Sequence, residues 1–334
     1  MTTFKEIRGQ LIRSVSSDPA NPQVGEIWYN NTIGVLKGYR NIGDAFSSET
    51  SLPAVRASGA MSGSAYNSAL VAFGSTGGAI ATSLEYDGSS WTTGGTGSTA
   101  RQNLGSAGTQ TAGIAFGGAN PSTPAHNLSA TEEYDGTSWT AGGALSAGRS
   151  NFLGSFGTQT AAVAASGTNA TPANPGKTTA TEEYNGSTWS GGGAVPTAGF
   201  FNNRGAGTET AGLVAGGNGV PSTSSFEYNG SSWTAGGDMN TPRFAGGLTG
   251  TQTLALQAGG RGGPGAGITN SEKYDGTSWT NNPASLASGK GGQFAIGVQG
   301  LSINAGGIDS GNSQTASSEL FNESTLATQT LTTS

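Results

Sequence analysis

The chain has 334 residues, 59 of them glycine, with only 10% charged residues, a net charge of −6, no Cys and a single His. The absence of Cys removes disulfides, thiolate metal sites and cysteine nucleophiles together, and one His leaves no multi-histidine metal centre. A chain this poor in Lys and Arg lacks the basic field that nucleic-acid binding needs, and no run approaches the roughly 18 apolar residues of a membrane span.

Residues 1–45 differ in character from the remainder of the chain. Thr3-Phe4-Lys5-Glu6 fits a capping box for one or two helical turns, with Phe4, Ile7 and Leu11 on one side, and the same stretch is compatible with extended chain. It has no apolar core of a secretory signal. Asp18-Pro19-Ala20-Asn21-Pro22 reads as a turn-rich linker. Gly25 to Tyr29 and Gly34 to Tyr39 then read as a hairpin around Asn30-Asn31-Thr32. Trp28 and Tyr29 lie outside any repeat, so periodic packing does not explain them, and they are the candidate residues for docking to a neighbouring protein.

From residue 46 a repeat governs the chain. Its mark is an acidic or polar residue, an aromatic, Asp/Asn-Gly, two hydroxyl residues and Trp, as in Glu85 to Trp91, Glu133 to Trp139, Glu183 to Trp189, Glu227 to Trp233 and Lys273 to Trp279. A worn sixth copy starts at Phe321. The aromatics Tyr86, Tyr134, Tyr184, Tyr228, Tyr274 and Phe321 are 48, 50, 44, 46 and 47 residues apart. Asp-Gly and Asn-Gly favour a type I′ hairpin turn, across which the Tyr and the Trp would pack. Upstream of each lies a second hairpin with a Gly-Thr-Gln/Glu-Thr turn, at Gly108, Gly157, Gly207 and Gly250, leading into a strand of small residues. Four short strands per period of about 45 residues, with no helical pattern, predict an all-β, six-bladed β-propeller over 46–334 behind the extension 1–45. Phe46 lies ten residues before Arg56, as Trp91 lies ten before Arg101, so a strand at Phe46 is expected to complete the sixth blade; the tail from Leu326 competes for that place.

Diglycines after the small-residue strand (Gly117-Gly118, Gly216-Gly217, Gly259-Gly260, Gly306-Gly307), the aromatic–Asp pair, the Trp and an Arg ten residues beyond it (Arg101, Arg149, Arg243) resemble the kelch and galactose-oxidase-like repeat family. Gly199 and Gly289 replace that Arg, and Ser166-Gly167 and Gly74-Ser75 replace diglycines. The leader, Ser17 to Pro22 followed by Gly25 to Asn30, and the Gly-Thr-Gln-Thr-Ala-Gly blades resemble structural proteins of tailed phages, marine cyanobacterial phages above all. That resemblance implies a virion component present in multiple copies. It would attach to other virion proteins through its N-terminal segment and display the propeller as a fibre, decoration or host-adhesion module facing a surface glycan or receptor. The alternative is a soluble cellular scaffold or glycan-binding propeller.

No enzyme is expected. The copper chemistry of galactose oxidase needs a Tyr–Cys crosslink and two His ligands, which this composition cannot supply. The acids Glu85, Glu132, Glu133, Glu183, Glu227, Asp87, Asp135 and Asp275 recur blade after blade, which fits turn formation and solvated strand edges rather than a unique catalytic pair or calcium site. The Arg series fits hydrogen bonding to backbone carbonyls, the Trp series fits packing, and His126 fits an ordinary loop residue. No catalytic residue, cofactor or metal is expected. The longest insertions, Asn120 to Ser129 and Thr168 to Thr179, are the places to look for recognition.

Overall fold

The computed structural model describes residues 12–23, 25–122, 126–151, 154–169, 176–197, 204–217, 222–263, 266–323 and 325–331, all of them strand, turn or loop. The possible helix at residues 3–11 lies outside the described residues. Two compact units form: Phe46–Asn322, and Met1–Ala45 with Glu323–Ser334.

The larger unit is a β-propeller of six four-stranded antiparallel sheets. The second blade shows the pattern: Gly105–Gly108, Gly113–Phe116, Thr131–Tyr134 and Trp139–Gly142, from the axis outwards. First strands of successive blades touch all the way round, and the strand Ala60–Ala65 of blade one meets Phe294–Val298 of blade six. Small residues allow that convergence. Side chains stitch it: Met61 N–H donates to Ser106 Oγ (2.9 Å), and Ser106 N–H to Ser155 Oγ (3.1 Å). In blade six the outermost strand is Ala45–Glu49, so the strand at Phe46 closes the ring. The rings of Phe46 and Phe321 are 5.0 Å apart, much as each Tyr lies 4.7–5.0 Å from the Trp across its hairpin.

Third strands carry the junctions. One carboxylate faces the following blade and accepts its Tyr hydroxyl: Tyr134 donates to Glu85, Tyr184 to Glu133 (2.5 Å), Tyr228 to Glu183 and Tyr274 to Glu227 (2.6 Å). The neighbouring carboxylate turns inwards and meets a buried cation, in Arg101–Glu132 (2.7 Å), Arg149–Glu182 (2.6 Å), Arg243–Glu272 (2.6 Å) and Lys290–Glu319 (3.3 Å). These acids are therefore not solvated edges. Glu132, Glu182 and Glu272 are buried, and their guanidinium partners also donate to carbonyls, Arg101 to Ala130 O at 2.9 Å. The Trp indoles reach back one blade, Trp139 to Ser83 Oγ and Trp189 to Thr131 Oγ1.

Three local expectations need correction. The Asp-Gly hairpins are four-residue loops rather than two-residue type I′ turns, because Tyr86 pairs with Trp91 and only Gly88 has positive φ. Asp87 Oδ1 accepts the N–H groups of Ser89 (2.8 Å) and Ser90 (2.7 Å), an Asx arrangement that does the work of a second left-handed residue. Gly289 is not the counterpart of Arg; a register shift between Asn270 and Ser271 lengthens the preceding strand, and Lys290 takes the place. In blade one the diglycine equivalent is Phe73-Gly74 (φ 56° and 98°), not Gly74-Ser75.

The smaller unit is a sheet ordered Arg13–Val15, Ile27–Asn30, Val35–Ile42, Thr325–Leu331. Its middle pair is the expected hairpin. The tail, assigned from sequence to the propeller, instead pairs antiparallel with Val35–Ile42, Leu36 opposite Leu331 and Ile42 opposite Thr325.

The blade junctions can be tested at two positions. Blade one has Leu84 where blade two has Glu132, and there Arg56 donates to Thr82 Oγ1 (2.7 Å). Glu132→Leu should therefore destabilise the protein by about 3 kcal/mol, the cost of a buried charge stripped of its partner. Adding Ala130→Thr, which copies Thr82, should recover part of that loss in urea titrations. Glu209 stands where Gln110, Gln159, Gln252 and Gln299 each donate to two carbonyls, for example Gln159 to Gly113 O (3.0 Å) and Tyr134 O (2.7 Å). Burial, then the Glu183 charge, raise the Glu209 carboxyl above its ordinary value, so the ionised form opposes folding above that raised value. Glu209→Gln should stabilise by about 1 kcal/mol at neutral pH. The gain should shrink as pH falls below the ordinary glutamate range, where both residues are neutral.

Candidate functional site

Each blade sends two loops to the same end of the propeller: the link from its second to its third strand, and the crossing that arrives from the previous blade. The two zip together by short bridges, Gln102 with Ala119, Ser150 with Thr168 and Phe244 with Arg261. Both long insertions belong to this face, and bridges of Ala119 with Asn127 and of Thr168 with Lys177 close their bases. Residues 123–125 and 170–175 at their tips lie outside the described residues. His126 is an exposed loop residue here, with its carbonyl accepting Asn120 N–H (2.9 Å).

Where each crossing enters its blade, the backbone turns left-handed: Ser58 (φ 60°), Asn103 (56°), Asn151 (68°), Ala245 (53°) and Gly292 (66°). Asn tolerates this region, whereas Ser and Ala adopt it at a cost of roughly 1 kcal/mol. The turn lets the crossings bond to one another around the axis. Gly292 N–H donates to Ala245 O (2.7 Å), Ser58 N–H to Gly292 O (3.0 Å) and Asn103 N–H to Ser58 O (2.6 Å). This rim borders a cavity of about 360 Å³. A narrower space of about 130 Å³ lies among the first strands, lined mainly by Gly, Ala and Ser.

The larger cavity has the dimensions of a small-ligand site. Its polar walls include Gln102, Asn103, Asn151, Gln314 and Arg261, with Phe244 and Ile308 as apolar surface. Gln314 is held by Ser75 (3.0 Å), while the side-chain amides of Gln102 and Asn103 have no partner among the described residues. Arg261 donates to Asn312 Oδ1 (2.9 Å) and Asp309 O (3.2 Å), and no carboxylate pairs with it among the described residues. Its side chain crosses Gly291, where a Cβ would lie 2.9 Å from Arg261 Cγ. The described walls carry no carboxylate, imidazole or thiol. Sequence reading missed this cavity because its residues come from five blades and differ in type among them.

The sequence-predicted docking pair separates. Trp28 is fully buried and donates through Nε1 to Asp18 Oδ1 (3.1 Å), so it offers no surface to a partner. Tyr29, the next residue along the strand, points the other way and is 40% exposed. Asp18 also accepts from Asn30 Nδ2 (2.8 Å) and Lys37 Nζ (2.5 Å). The Lys37, Asn30 and Trp28 hydrogen bonds hold its carboxyl at about 2, well below the usual aspartate range. Among the described residues no group of three or more His, Asp or Glu is placed to hold a metal ion.

No family model matches the sequence, and no curated protein matches it. Among solved structures, that of YjhT is similar with a TM-score of 0.68 over 84% of this chain and 99% of its own, at 14% identity. As many as 277 chains of solved structures resemble this one, so the architecture by itself selects no function.

The depressed Asp18 carboxyl makes the clamp pH-dependent. A folded value near 2 against an ordinary value of about 3.9 means its contribution is complete above pH ~4 and is lost as pH falls towards 2. Amide exchange in Ile27–Asn30, corrected for its intrinsic pH dependence, should accelerate over that interval. Asp18→Asn should produce the same acceleration at neutral pH.

Proposed function

We propose that the protein is a non-enzymatic structural component of a tailed-phage particle, attached through its N-terminal sheet and displaying a kelch-type propeller for host adhesion or as a fibre or decoration. The observation that carries this reading is the Asp18 clamp. The two halves of the leader that resembles phage structural proteins, Ser17 to Pro22 and Gly25 to Asn30, are joined by the bonds from Trp28 and Asn30 to Asp18. That leader is therefore the core of a folded element with a sheet of its own, as an attachment module requires. Tyr29 supplies an exposed aromatic on it.

The absence of catalysis in this reading draws on how the acids are used. Glu85, Glu133, Glu183 and Glu227 accept tyrosine hydroxyls, Glu132, Glu182 and Glu272 neutralise arginines, and Asp87, Asp135 and Asp275 cap their own turns. Each is occupied within its own blade or by the next one. A second reading, a soluble glycan-binding propeller, is favoured by the rim cavity and does not need the particle.

Copurification with assembled particles separates the two readings. For the adhesion role, residues 120–129 and 168–179 are replaced with short Gly-Ser turns. Host adsorption should then fall well below that of unmodified particles, while the propeller stays folded because the six four-stranded sheets are untouched by the exchange. Unchanged adsorption would remove the loops from recognition.

A further inference from the structure

Most buried cations of the described chain follow one rule, and a half-buried arginine at the cavity stands outside it. Arg101, Arg149, Arg243 and Lys290 each have a carboxylate within 3.3 Å or less. Arg56, the buried exception, is fully engaged in the structure by the carbonyls of Val71 and Thr82 and by Thr82 Oγ1. Arg261 differs from all five. It lines a 360 Å³ cavity, has no carboxylate among the described residues and uses only two of its five N–H groups on Asn312 and Asp309.

Its position is built. Gly291 leaves the space that its methylene chain crosses, and the two acceptors fix the guanidinium end. Arg261 belongs to a two-stranded outgrowth, Arg261–Gly263 with Ala266–Gly267, beyond the four-stranded sheet. Elsewhere around the same cavity, the amides of Gln102 and Asn103 present donors and acceptors without protein partners among the described residues, and Phe244 offers an aromatic surface.

We propose that this cavity binds a single anionic saccharide unit, a hydroxylated ring bearing one carboxylate or one sulfate ester. The free face of Arg261 takes two oxygens of the anion in a charge-assisted pair. Gln102 and Asn103 exchange hydrogen bonds with ring hydroxyls, and Phe244 or Ile308 covers an apolar patch of the ring. The volume limits the bound group to about one sugar residue, which suits the terminal or side-branch unit of a larger glycan. The assignment rests on the protein being a binding module and is independent of its belonging to a particle.

The test uses the full-length protein and titration calorimetry with glucuronate, galacturonate and glucose 6-sulfate as probes, and glucose and inorganic sulfate as controls. At least one acidic sugar should bind saturably, with neither control matching it. Arg261→Gln should weaken that binding tenfold or more, and so should Gly291→Ala by displacing the Arg261 side chain, while both variants keep the wild-type melting transition. Gln102→Ala with Asn103→Gly, which preserves the left-handed backbone, should narrow the gap between the acidic sugar and sulfate. Glucose binding as tightly as the acidic sugars, sulfate binding as tightly as the acidic sugars, or full affinity in folded Arg261→Gln would each overturn the proposal. So would no binding of any acidic probe up to about 10 mM, a concentration at which even a 1 mM interaction is nearly saturated. Because the loop exchange reads host adsorption and this titration reads a soluble ligand, the two ideas fail separately.

Discussion

Everything in the propeller depends on how one blade grips the next, and the grip is a carboxylate on the third strand accepting a tyrosine hydroxyl from the following blade. A Glu side chain reaches across the gap, the Tyr is buried on its own sheet, and the hydroxyl then receives a backbone N–H as well, Gly95 to Tyr134 at 3.2 Å and Gly143 to Tyr184 at 3.3 Å. Burial and then the Glu133 and Glu227 carboxylates push the phenols of Tyr184 and Tyr274 up to about 12, so they stay protonated donors at any physiological pH. The approach has to be close. A Cβ on Gly143 would lie 2.1 Å from the carbonyl oxygen of Ser187 in the next blade, which explains why Gly95, Gly143, Gly193 and Gly237 follow the outer strands of blades one to four. The high glycine content thus reflects blade spacing rather than a flexible chain.

The ring is closed by two junctions that do not use this grip. Between blades five and six, Lys273 replaces the Glu and Phe321 replaces the Tyr, and the ammonium lies 5.5 Å from the centre of the ring. Both partners changed together, from carboxylate and phenol to cation and π face, so the contact survives with its polarity inverted. Between blades six and one, Leu320 stands in the Glu position, and burial, then Glu49 on the outermost strand of blade six, raise the Tyr86 phenol. Closure there rests instead on the strand Ala45–Glu49, which adds main-chain bonds to blade six from the opposite end of the unit. A covalent neighbour gives each of the other junctions proximity without cost. This last one must recover the loop-closure entropy of the whole ring, and a strand's worth of backbone hydrogen bonds supplies it.

How much of this was legible in the sequence depended on whether a feature repeats. The Tyr–Trp hairpins, the small-residue inner strands and the closing strand at Phe46 were readable because each copy confirms the others. The Arg–Glu pairs were half readable. Arg recurs at a visible distance from Trp, but its Glu lies about 30 residues further on, and only the fold brings Arg101 to Glu132. Once paired, the irregular copies become intelligible. Glu272 keeps its Arg, Phe226 stands where blade four has lost the carboxylate along with Gly199 in place of the Arg, and Lys290 hides one residue out of step behind a bulge. Trp28 was misjudged for the opposite reason. A residue outside the repeat seemed to need an external partner, yet its partner was Asp18, inside the segment that composition had marked as mere linker.

The same contrast locates function. At the described blade junctions polar side chains come largely in complementary sets, and a loss on one side is matched by a change on the other, as at Lys273 with Phe321. Such matching is what selection for a closed ring leaves behind, because an unmatched buried charge is among the costliest defects a core can carry. The rim breaks the pattern. Left-handed Ser58, Asn103, Asn151 and Ala245 hold the crossings in a strained ring, and among the described residues the amides of Gln102 and Asn103 have no partner and Arg261, on the same cavity, has no carboxylate. Strain and unmatched polarity survive where something other than stability retains them. In this chain the left-handed crossings and Arg261 lie at one end of the propeller, on the face that also carries the two longest loops.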